Sequence, residues 1–175
     1  MWCCDFIFDR TETGTTLKWL SIIDEYTREC LALKVDRHIT SEDVINQLAE
    51  LFPTHGVPEH FRSDNGSEFL SKAIRSWLKQ IGVGTLYVEP GSPWENGYAE
   101  SFHSHVRDEF MNCEVFENLR AARRQTEAWK QHYNEVRPHS SLGYLTPRQF
   151  SQQCISSSRT PSAFQRNTAD TLKIS

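Results

Sequence analysis

WCCDFIFDRTETGTTLKWLSIIDEYTRECLALKV, residues 2–35, is the stretch whose reading decides the fold. Phe6 and Phe8 alternate about Ile7 in a short apolar run that also holds Asp5, which predicts a strand. The TETGT segment is turn-forming, and LKWLSII is a second strand closed by the polar pair Asp24 and Glu25. Leu31, Leu33 and Val35 alternate in a third. Only the brief break from Tyr26 to Glu29 separates the second strand from the third, so the reading is an antiparallel meander.

Beyond the meander the pattern changes period. Thr40 with Asp43 resembles a capping box, and Val44, Ile45, Leu48, Leu51 and Phe52 follow at helical spacing, with Pro53 and Gly56 expected to end the helix. HFRS predicts a short fourth strand running into Asp64, with DNGSE as its exit loop. Ala73, Ile74, Trp77, Leu78 and Ile81 mark a second helix, and VGTLYV a fifth strand. EPGSP then delivers the chain to a helix starting near Trp94 or Glu95. On it Tyr98, Phe102, Val106 and Phe110 form the expected packing stripe, while Glu100, His103 and Arg107 share another face. Leu119, Ala122, Thr126, Trp129 and Tyr133 mark a last long helix. The order predicts an α/β fold: one five-stranded mixed sheet flanked by helices, in a single unit over 1–150. After LTPRQF the chain turns rich in Ser, Thr and Gln, so 151–175 are expected to be a weakly ordered tail.

Composition bounds the function. The 175 residues are 38% hydrophobic and 24% charged with a net charge of -4, a globular balance rather than that of a strongly basic nucleic-acid binder. The average hides a gradient: residues 1–100 carry 9 Lys or Arg against 16 Asp or Glu, whereas 101–175 carry 10 against 7. An acidic first part suits divalent cations and a mildly basic second part suits phosphate. No apolar run reaches the roughly 18 residues of a transmembrane helix, and the N-terminus does not read as a signal peptide. Cys3, Cys4, Cys30, Cys113 and Cys154 form no CxxC pair, so neither zinc nor a redox dithiol is indicated, and a reducing compartment is the simplest setting.

Three carboxylates stand out. Asp5 lies in an apolar strand, where a lone charge is costly unless paired, at an opening or bound to metal. Asp64 precedes Asn65 and Gly66 at a sharp turn, and Glu100 sits off the packing stripe of its helix. If the first and fourth strands are neighbours, a helix crossing their ends brings all three together, and such a cluster repels itself unless cations sit inside it. Oxygen ligands suit Mg2+ or Mn2+. Taken singly, each has a plainer reading: a strand-edge carboxylate, a turn and helix cap, and a solvated helix residue.

WCCDFIF, LSIIDEYTRECLAL, GVPEHFRSDNGSEF, EPGSPWENGYAESFHSHVRDE and YNEVRPHSSLGYLTP, in that order, resemble the catalytic core of the retroviral-type integrases and bacterial insertion-sequence transposases. The likeness is specifically to the second-frame transposase of the IS3 group, and it covers about residues 2–150. Asp64 and Glu100 enclose 35 residues, the family's interval; Glu95, the competitor, encloses 30 and fits poorly. The resemblance implies a ribonuclease H-like fold and DNA strand transfer with two Mg2+ ions, Mn2+ being an alternative. Catalytic and metal-binding roles map to Asp5, Asp64 and Glu100, with Asn65 and Gly66 shaping the turn and Glu68 and Phe69 completing its motif.

The resemblance also implies partners: element-end and target DNA, further copies of the chain or full transposase subunits, and no membrane. It places the chain in the cytoplasm, at the nucleoid when DNA-bound. Lys72, Arg75, Lys79, His103 and Arg107 are candidate DNA contacts, each with a solvated-surface alternative. The local ESFHS departs from the usual ESFNG at His103 and Ser104, which bears on DNA positioning. Arg137, His139 and Tyr144 belong to a Pro- and Gly-bounded closing loop in which Leu142 and Tyr144 are expected to pack on the core. Upstream DNA-recognition helices typical of the family are not found in this sequence. The alternative to a strand-transfer enzyme is therefore a noncatalytic or truncated scaffold that binds DNA or another transposase subunit.

Overall fold

A computed structural model describes residues 1–63, 72–87 and 97–158. Strands β1 (Trp2–Arg10), β2 (Thr16–Asp24) and β3 (Cys30–Asp36) form the expected antiparallel meander, followed by helix α1 (Ser41–His55), strand β4 (His60–Ser63), helix α2 (Lys72–Gln80) and strand β5 (Gly84–Tyr87). Helices α3 (Gly97–Val106), α4 (Leu119–Glu135) and α5 (Pro147–Ser158) complete the described chain. The sheet order is β3-β2-β1-β4-β5, with β1 parallel to β4 and β4 parallel to β5. This is the ribonuclease H-like arrangement: a mixed five-stranded sheet whose acidic first strand lies at its centre.

Both faces of the sheet are covered, which explains why β2 reads as nearly continuous apolar residues rather than a strict alternation. Cys3, Ile7, Trp19 and Ile23 point to one face, where they meet Phe102, Val106, Phe110 and Tyr133. Cys4, Leu20 and Ile22 point to the other, against Val44 and Leu48 of α1 and Ile74 and Leu78 of α2. Asp5 shares the parity of Cys3 and Ile7. It therefore faces α3.

The capping box forms: Asp43 N–H donates to Thr40 Oγ1 at 3.3 Å and Thr40 N–H to Asp43 Oδ2 at 2.8 Å. The helix does not stop at Pro53, however. Proline in the last turn removes only the donor to Ala49, and α1 runs on to His55, where Gly56 at φ 77° ends it. The stripe on α3 also differs from expectation. Ala99, Phe102 and Val106 are buried whereas Tyr98 is 45% exposed, because each four-residue step overshoots a full turn by about 40° and carries Tyr98 off the face. A π-helical turn, Arg107–Met111, follows and lets Phe110 and Met111 both face the core.

On α4 the expected stripe holds. Thr126 accepts from Trp19 Nε1 at 2.9 Å, and buried Asn134 accepts from Cys30 N–H at 2.8 Å and donates to its carbonyl at 2.9 Å. Helix α5 crosses the compositional boundary after Phe150, so 151–158 are helix, and 159–175 lie outside the described residues. No described helix is long and apolar enough to cross a membrane.

Candidate active site around Asp5 and Glu100

Asp5 lies mid-strand on β1, opposite Ser21 of β2. Its side chain is 18% exposed, and its Oδ1 accepts from Phe6 N–H at 2.7 Å. Ser21 Oγ donates to the Asp5 carbonyl at 3.0 Å and lies 2.9 Å from His103 Nε2. A hydroxyl has one proton to give, so Nε2 is the ring nitrogen that carries hydrogen and donates to Ser21. His103 Nδ1 then presents a lone pair to Asp5 Oδ2 across 3.6 Å, too far for a hydrogen bond. Burial, reinforced by the Arg107 charge, holds the His103 pKa down at about 4, so the ring is neutral near pH 7.

Glu100 is in the first turn of α3 and exposed, with its carbonyl accepting from Ser104 Oγ at 3.1 Å. Helix α3 packs on β1, and His103, one turn on from Glu100, is the residue that reaches Asp5. Asp64, together with Asn65, Gly66, Glu68, Phe69 and the competitor Glu95, lies outside the described residues. Ser63, the last described residue of β4, pairs with Cys4, and the residues that follow these two in sequence are Asp64 and Asp5. Among the described residues no three His, Cys, Asp or Glu side chains gather closely enough to hold a metal ion.

The candidate DNA contacts divide between two faces. Lys72, Arg75 and Lys79 are exposed on α2, which packs on the sheet face opposite Asp5. His103 is turned inward on α3, and Arg107 is exposed at the start of the π turn. Sequence reasoning missed Ser21, whose only signal was a lone hydroxyl in an apolar strand. In the closing loop Leu142 is buried as expected, but Tyr144 is 76% exposed at φ 64° and does not pack on the core. Arg137 instead grips Glu109 with two hydrogen bonds of 2.7 and 2.6 Å, which holds the Glu109 carboxyl below the usual range.

Profiles of the integrase core domain match residues 1–93 and 81–147. The chain is 40% identical over 149 residues to an uncharacterized protein of insertion element IS476 from Xanthomonas euvesicatoria, covering 85% of this chain and 43% of that one. It is 37% identical over 165 residues to an uncharacterized protein of insertion element IS407 from Burkholderia multivorans, covering 94% and 60%. The chain thus spans about half the length of these relatives. Transposase InsD of insertion element IS2D from Escherichia coli is 29% identical over 160 residues, covering 87% of this chain and 53% of InsD. Among solved structures, a chain of the simian T-cell lymphotropic virus intasome superposes with a TM-score of 0.73 at 14% identity, covering 99% of this chain and 59% of that one. The HTLV-2 integrase catalytic core domain in complex with magnesium gives 0.66 at 15% identity, covering 85% and 93%. A five-stranded sheet with Asp5 at its centre, the order of the motifs and these matches agree: the chain belongs to the integrase core domain family, related to the retroviral integrases and the IS3-family insertion-sequence transposases.

Proposed function

We propose that the chain is the catalytic core of a metal-dependent DNA strand transferase, in which Asp5, Asp64 and Glu100 hold Mg2+ or Mn2+. The observation that carries this reading is the parallel pairing of Cys4 with Ser63 beneath α3. It joins the two strands that lead into Asp5 and Asp64, under the helix that bears Glu100. The donor set fits a hard cation, being carboxylate oxygens.

Bound there, a pair of such ions makes water or a 3′ hydroxyl a better nucleophile and stabilises the leaving oxygen of a phosphodiester. The chain's own residues supply position. Ser21 fixes the Asp5 backbone from the neighbouring strand, His103 fixes Ser21 from α3, and the same helix carries Glu100 one turn before His103. His103 thereby acts as a positioning residue, and Arg107 is available to a DNA phosphate from the same side. DNA ends, target DNA and further copies of the chain are the partners that this chemistry requires.

Glu100→Gln keeps size and removes a charge, so it should retain the melting temperature of the wild type while Mg2+-dependent nicking of a labelled element-end duplex falls at least a hundredfold. Asp5→Asn should do the same and also weaken Mn2+ binding measured by calorimetry. Equal metal-dependent nicking by wild type and E100Q, after removal of contaminating nuclease, would overturn the reading.

A further inference from the structure

Behind the turn that carries Glu100 lies a pocket of about 810 Å3, within the roughly 300–1,000 Å3 of small-molecule sites. Its walls come from three places: the β2–β3 connection at Asp24, Glu25 and Arg28, the α3 face at Tyr98 and Ser101, and the closing loop at His139 and Tyr144. Two of the polar atoms here are buried and make no hydrogen bond among the described residues: Arg28 Nη1 and His139 Nε2. His139 is only 7% exposed, so its free nitrogen cannot be dismissed as wetted by bulk water. A buried guanidinium hydrogen without an acceptor costs free energy, and it calls for an acceptor brought from outside.

The other cations of the pocket are already committed. Arg62 donates to Glu25 at 3.0 Å, and Arg137 is held by Glu109. Arg28 differs: its guanidinium lies 3.8 Å over the Tyr98 ring, and its backbone is left-handed at φ 61°, an uncommon state for a residue with a side chain. The Tyr144 ring, 76% exposed at φ 64°, stands at the rim. Two left-handed positions that give up the usual glycine or asparagine place a cation and an aromatic ring at one cavity.

A cation and aromatic faces in a concave site are the chemistry of single-stranded nucleic acid, where phosphate takes the charge and a base takes the ring. A duplex phosphate alone would leave the aromatic rim unused, and an acidic peptide would leave it without a stacking partner. We propose that this pocket binds one unpaired nucleotide of a DNA strand, with its phosphate on Arg28 and His139 Nε2 and its base against Tyr144. The choice of DNA rests on the strand-transfer reading; the pocket itself is lined by neither Asp5 nor Glu100.

The test is fluorescence anisotropy of the full chain with a short fluorescein-labelled thymidine strand in EDTA, so that metal binding plays no part. Arg28→Gly suits the positive φ and should leave the melting temperature unchanged or raised while weakening binding about tenfold. Tyr144→Gly should weaken the thymidine strand and spare an abasic strand of equal phosphate count. The double variant Arg10→Ala, Arg37→Ala, exposed at the end of the sheet away from Asp24, should bind as the wild type does. Binding by both glycine variants within twofold of wild type overturns the proposal. So does an equal loss in the Arg10 and Arg37 double variant, or competition by inorganic phosphate, a glutamate-rich peptide or the annealed duplex as strong as by the single strand. Because the strand is titrated in EDTA, failure here leaves the carboxylate site standing, and failure of metal-dependent nicking leaves this pocket standing.

Discussion

Ser21, His103 and Asp5 show how little of a site's geometry is written in single residues. Asp5 stands out in the sequence because a carboxylate in an apolar strand has to be accounted for. Ser21 does not, since its importance comes from cross-strand register, which places it opposite Asp5, and from the rotation of α3, which turns His103 inward. His139 gives a pH-dependent consequence at this scale. Burial, with help from the Arg137 and His105 charges, depresses its pKa from 6.5 to about 4, partly opposed by Glu109. Between those values the unfolded chain takes up a proton that the folded chain refuses. The stabilisation it contributes is therefore present above about pH 6.5 and lost as pH falls toward 4. His139→Asn should flatten that part of the stability profile by on the order of 2 kcal/mol, read from urea midpoints across the window. An unchanged slope would show that the ring is protonated in the folded state.

Among the elements, those with a sustained period were readable and those governed by their surroundings were not. The stripes on α1 and α4 were correct because strong amphipathicity leaves one orientation against a sheet. The α3 stripe was misread at Tyr98, since an every-fourth-residue rule drifts around the helix and the π turn at Arg107–Met111 resets the phase. The helical continuation of α5 past Phe150 was hidden by a Ser- and Gln-rich composition of modest helix propensity. Asn134 on α4 looks like a neutral exposed-helix residue, yet it closes both backbone groups of Cys30 where β3 begins. Asn134→Ala should leave a buried N–H and C=O unpaired and cost about 2–4 kcal/mol by chemical denaturation. A loss below about 0.5 kcal/mol would mean that water replaces the amide.

For the whole molecule, the central sheet separates two cores, and its buried thiols report on both. Cys3 and Cys30 belong to the α3–α4 side and Cys4 to the α1–α2 side, while Cys113 is exposed. Burial pushes Cys3 up to about 12, with Glu25 and Asp5 adding to the rise, and raises Cys30 as well. In the folded chain a thiol reagent should label Cys113 first and Cys154 next. Cys3, Cys4 and Cys30 should follow together at the rate of global unfolding, followed by mass spectrometry. Early labelling of Cys30 alone would reveal separate opening of β3. The first turn of α3 has a larger consequence. It holds Glu100 on one side and presents Tyr98 and Ser101 to the pocket on the other, so the two proposed ligands share one short helical turn. Linkage then demands reciprocity: the factor by which a DNA strand changes Mn2+ affinity equals the factor by which Mn2+ changes strand affinity. Where strand and cation couple, they do so equally in either order of binding, with the first turn of α3 as the body they share.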